Sequence, residues 1–161
     1  MNTKDKEILR SLGNQIAEIA ALPVQKETIE LWKAINGLRP IRGMVMIDQI
    51  PWHEMDVNDE LKLQTEDNFC RGIETRLRRT LYLWKHMPGD MVVQPFVTIG
   101  KSIGNSGFGV GVVEERAVSD PRNSVVGHRY IDQFKTEEDI MKIQMPKVVY
   151  NEEATKQNEE R

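Results

Sequence analysis

The sequence predicts an α/β protein in which amphipathic helices precede a strand–helix–strand unit. Three observations predict it. Met44–Ile47 is apolar without interruption and is bounded by Gly43 and Pro51, the pattern of a strand covered on both faces. Phe69, Ile73, Leu77, Leu81 and Trp84 recur at steps of four, four, four and three, the stripe of an amphipathic helix. A second apolar run, "DMVVQPFVTIG", follows directly after Pro88 and Gly89. Two strands joined through a helix normally run parallel, with a right-handed crossover.

The elements follow in order. Residues 3 to 21 carry Ile8, Leu12, Ile16 and Ile19 at helical spacing, with Leu9 and Ala20 alongside and Thr3 as N-cap. Pro23 breaks that pattern. A second helix is expected over 25 to 36, with Ile29, Trp32 and Ile35 on one face, Gly37 at C′ and Pro40 preventing resumption. The first strand is expected next, then a polar loop over 56 to 66 with room for a helical turn. Asp67 or Asn68 caps the third helix, which runs to about Met87. Pro95 would cost a central antiparallel strand a ladder bond, so the second strand is expected to end near Gln94. Beyond Gly100, "SIGNSGFGVGVVEERAV" reads as a loop and then a strand or hairpin, and "SVVGHRYIDQF" as a further extended segment. "TEED" at Thr136–Asp139 matches a capping box and opens a short helix through Ile143. "KVVY" is a last short strand, and "NEEATKQNEER" reads as a solvated helix or a frayed tail.

Composition narrows the function. The 161 residues suit one domain. With 22 Lys and Arg against 25 Asp and Glu, the net charge is −3, which argues against a nucleic-acid binder or a polybasic membrane anchor. Cys70 is the only cysteine, so there is no internal disulfide and no multi-cysteine zinc site. No apolar run approaches the length of a membrane span, and "MNTKDKEILR" has no signal-peptide core. The expected compartment is the cytoplasm. The apolar content of 39% is slightly low, as expected of a chain that is partly solvated or lacks a partner.

"GLRPIRGMVMIDQIPWHEM", "LRRTLYLWKHMPGDMVVQPF", "NSGFGVGVVEE" and "VVGHRYIDQFKTEEDI" resemble the N-terminal part of the uroporphyrinogen decarboxylase superfamily. The nearer likeness is to the branch of methylcobalamin:coenzyme M methyltransferases, found in anaerobic bacteria. It spans Lys4 to about Tyr150 and rests on the combined order of these stretches. The resemblance implies a (β/α)8 barrel, which needs roughly 250 residues. The expectation is therefore an incomplete TIM-type barrel: a helical extension over 1–42, then over 43–161 the first strands, a helix and an elaborated loop. It implies corrinoid-linked methyl transfer, inactive in this chain alone, with zinc and a corrinoid belonging to the full-length family. The partners implied are a corrinoid protein or the missing barrel remainder. Uroporphyrinogen decarboxylases carry propionate-gripping arginines after the first strand. Here that region reads "DQIPWHEM", which disfavours a decarboxylase. A non-catalytic α+β interaction module is the third reading.

In such barrels the catalytic groups sit at strand C-termini. That gives Asp48, His53 and Glu54 as catalytic candidates, with Gln49, Trp52, Gln94 and His128 as substrate-binding ones. Asp48 ends a buried run, where a carboxylate costs energy unless paired or used, although it can equally cap a turn. His53 and Glu54 form an acid–base pair or part of a substrate rim, or else a solvated turn, since consecutive side chains usually point apart. Trp52 follows a strand end and is placed to line a pocket. His128, with Arg129 and Tyr130, faces either an anion or solvent. Bland readings suffice elsewhere. Glu74 and Arg78 make an ordinary i,i+4 pair, and "RLRRT" is a solvated face. His86 suits a helix C-terminus. Cys70, one turn into helix three where a thiolate is somewhat favoured, reads as a packing residue. "GFGVGVV" lacks the order of a phosphate loop and fits a strand in close contact with another backbone.

Overall fold

The computed structural model describes residues 2–118, 120–122 and 126–160. Ser124 and Val125, at the head of the expected extended segment "SVVGHRYIDQF", lie outside them. The chain divides into two compact units, Met1–Val97 and Thr98–Arg161. The architecture is mixed α/β, with helices, antiparallel strand pairs and no closed barrel among the described residues.

In the first unit, α1 spans Thr3–Ala20 and α2 spans Pro23–Asn36. The N-cap of α1 is Asn2 rather than Thr3, its side chain accepting from the Asp5 amide at 2.7 Å. Pro23 does more than stop α1. It starts α2 at the first turn, where its missing N–H costs nothing. At the C-terminus of α2 the left-handed residue is Leu38 (φ 57), one beyond the expected Gly37. The Arg39 amide bonds back to the Ala34 carbonyl at 2.8 Å around it, a Schellman-type end. Helix α3 covers Asn68–His86, with the Asp67 side chain accepting from the Phe69 and Cys70 amides. Leu12 and Ile16 of α1 pack with Leu77 of α3 and Val93, and Ile73, Leu81 and Trp84 close around them. That cluster is the core of the unit. Helix α2 departs from expectation: its buried residues are Gln25 and Thr28, and Ile29, Trp32 and Ile35 are only half-buried.

The two expected strands are not formed. Met44–Ile47 and Met91–Val97 are irregular, and Val45, Met46 and Phe96 are 58%, 71% and 65% exposed. They meet at one point, where the Asp90 amide donates to the Val45 carbonyl at 2.8 Å and the Asp90 carboxylate accepts from the Val45 amide at 2.7 Å. A side chain thus fills the place of a backbone acceptor, and no ladder follows. Gly89 makes this approach possible, since it sits at φ +48 and a Cβ there would lie 2.9 Å from the Val45 carbonyl oxygen. The first strand–helix–strand expectation is corrected accordingly: the helix stands, and the flanking apolar runs form no ladder, the Val45 amide being taken by the Asp90 carboxylate.

In the second unit β1 (Ile103–Asn105) pairs antiparallel with β4 (Val148–Tyr150), and β2 (Val113–Ala117) with β3 (Gly127–Ile131). The β2–β3 register places Val113 opposite Ile131 and Arg116 opposite His128. The "TEED" signal appears as a 3-10 helix over Glu137–Lys142, in which the Asp139 carboxylate accepts from the Thr136 amide at 2.9 Å to complete the capping box. Helix α4 covers Glu152–Glu159 with Asn151 as its cap. Thr155 is buried, its hydroxyl accepting from the Ser102 amide, and the strand residues are exposed apart from a half-buried Glu114. The close backbone contact expected of "GFGVGVV" is found at Gly109, where a Cβ would lie 3.1 Å from the Lys142 carbonyl oxygen and the Gln144 amide donates to the Phe108 carbonyl at 2.8 Å, and not at Gly111, which has open space.

Candidate functional site

The sequence placed its catalytic candidates between Asp48 and Glu54. Asp48 is exposed, and its carboxylate accepts from the amide of Gln49, its own neighbour, at 2.7 Å. Gln49 itself is left-handed at φ 54. After Pro51 the chain makes a 3-10 turn over Trp52–Glu54. This tight turn brings consecutive side chains together: His53 Nε2 lies 3.2 Å from Glu54 Oε1. The imidazole is 10% exposed and the carboxylate 66%. Asp48 bonds to neither.

Trp52 fixes this turn to α3. Its ring meets Tyr82 edge-on with centroids 6.1 Å apart, and the Arg79 guanidinium lies 4.8 Å over it. Such a stack stabilises by about 0.5–1 kcal/mol at a partly exposed site. Tyr82 in turn packs on His86 at 4.4 Å. Glu60 joins the following loop to the same helix end through Lys85 at 2.5 Å and His86 at 2.9 Å. Hydrogen bonds from Lys85 first, then His86, hold the Glu60 carboxyl below its ordinary range.

Gln94 lies elsewhere in the unit, on an open groove of about 590 Å³ between α2 and α3 that is also lined by Trp32, Met46, Leu83 and Met91. Asp90 organises its rim. Arg42 donates to both Asp90 carboxylate oxygens, at 3.0 and 2.5 Å, and the Trp32 indole donates to the Asp90 carbonyl at 2.7 Å. The Arg42 bonds, with the Val45 amide, draw the Asp90 carboxyl down to about 2. His128 belongs to the second unit, on β3. Its Nδ1 lies 2.9 Å from Glu114 Oε2, and its ring stacks on Tyr130. Hydrogen bonds from Arg116 first, then His128, lower the Glu114 carboxyl. Among the seven candidates, then, the structure joins His53 to Glu54 and places Trp52 beside them through the turn.

Two acidic residues carry more than the sequence suggested. Glu74 is fully buried, so its pairing with Arg78 is no surface helix pair. Its carboxylate accepts from the amides of Gln64 and Thr65, from the Thr65 hydroxyl at 2.7 Å and from Arg78 Nε at 2.7 Å. Burial opposes its ionisation, but these donors outweigh it and hold the carboxyl below the ordinary value. Asp5 is equally buried and accepts from the amides of Glu66 and Asp67 at 3.0 and 3.1 Å. Both residues tie the loop before α3 to a helix, and an i,i+4 acid–base spacing was the sole sequence signal for Glu74.

The zinc implied by the methyltransferase resemblance needs histidine and cysteine ligands. Cys70 is 1% exposed, and burial together with the adjacent Asp67 pushes its thiol up, overriding the helix N-terminus. No group of three or more His, Cys, Asp or Glu side chains converges among the described residues. These residues do not make a zinc site. No family model, curated protein or solved structure matches the chain.

Proposed function

We propose that the chain is the N-terminal section of a uroporphyrinogen decarboxylase-like protein on the corrinoid-linked methyltransferase branch, and that it is inactive alone. The reading starts from the resemblance over Lys4–Tyr150. One structural observation carries it: two apolar runs flank α3 and touch at Val45 and Asp90, and apart from Val93, which joins the core, they leave Val45, Met46, Ile47, Phe96 and Val97 exposed. The amides of Met46, Ile47, Val92 and Gln94 have no partner among the described residues. Apolar chain that joins no ladder, beside a helix, is in this reading strand material without neighbours. In this reading the runs become the first two strands of a (β/α)8 barrel once the remainder is present.

Within that assembly Trp52, His53 and Glu54 follow the first run and Gln94 ends the second. His53 is held by Glu54 to exchange a proton, Trp52 supplies an apolar wall, and zinc comes from the remainder. A decarboxylase fits less well, because the segment after the first run, "DQIPWHEM", carries no arginine. The uncovered groove favours the interaction-module reading as the competitor.

The test is co-expression with the polypeptide encoded beside this chain, followed by assay of methyl transfer from methylcobalamin to a thiol. We expect no turnover from either piece, and co-purification with turnover from the pair. Activity of the 161-residue chain alone overturns the claim of inactivity. A neighbouring coding sequence unrelated to a barrel, with this chain a cooperative monomer, overturns the family reading in favour of the module.

A further inference from the structure

We draw no further inference here: the strongest candidate, the apolar groove of the Thr98–Arg161 unit walled by Phe108, Val112, Tyr130 and Phe134, carries nothing because no feature of the structure shows what covers it.

Discussion

At the scale of single residues, two backbone conformations stand out. Leu38 is left-handed at φ 57 and 88% exposed. Its side chain returns little packing for the strain of that conformation, which costs about 1–2 kcal/mol for an L-residue. Leu38→Gly is therefore expected to stabilise the chain by about 1 kcal/mol, offset in part by the greater freedom of glycine when unfolded. A urea denaturation midpoint that rises checks it, and one that falls contradicts it. Gly89 is the opposite case. Ala there meets both a positive φ and the Val45 carbonyl at 2.9 Å. Gly89→Ala is expected to cost about 2–3 kcal/mol and to loosen Val45 from Asp90, seen as faster hydrogen exchange at the Asp90 amide. Asp90 adds an acid dependence. Its carboxyl falls from 3.8 to about 2 on folding, so its contribution is complete above 3.8 and is lost as pH drops through about 2. In Asp90→Asn, the decline in stability across that window should be shallower than in the parent.

At the scale of elements, the loop before α3 hangs on Glu74. Glu74→Ala would strand Arg78, whose side chain is 12% exposed, and orphan the Gln64 and Thr65 amides. Breaking a buried pair from one side costs about 3–5 kcal/mol. Thr65→Val removes one hydroxyl bond and should cost about 1 kcal/mol. Chemical denaturation of both variants orders the two effects, and equal losses would show that Glu74 is not the hub. The same contrast explains what the sequence disclosed. The helices were legible because their information is local: a 3.6-residue stripe, Asp67 as cap, and the Thr136–Asp139 box all act within one turn. The Met44–Ile47 strand was misread, because pairing depends on a distant segment, and here Asp90 meets Val45 with a carboxylate in place of a ladder carbonyl. The hubs were hidden for a related reason. Glu74 and Asp90 take donors from segments 9 to 48 residues away in the chain, and no spacing rule sees that far. Of the candidate site, a turn after Pro51 was legible, but not its tight 3-10 form, which sets His53 against Glu54.

At the scale of the whole molecule, the question is whether the exposed apolar runs are an ordinary surface or an unfilled interface. One substitution separates these. Met46 is 71% exposed and lines the groove between α2 and α3. A surface change at such a position shifts stability by no more than about 0.5 kcal/mol, so Met46→Glu should leave the denaturation midpoint of the isolated chain nearly unchanged. If the barrel remainder covers the run, the same carboxylate is driven out of water without a partner, at a cost of several kcal/mol. Association with the co-expressed remainder should then weaken by roughly a hundredfold or more, and methyl transfer by the pair should fall with it. Met46→Leu, which conserves volume and polarity, should bind as the parent does. If Met46→Glu associates as tightly as the parent, the run stays in water in the assembly and the strand proposed for it does not form.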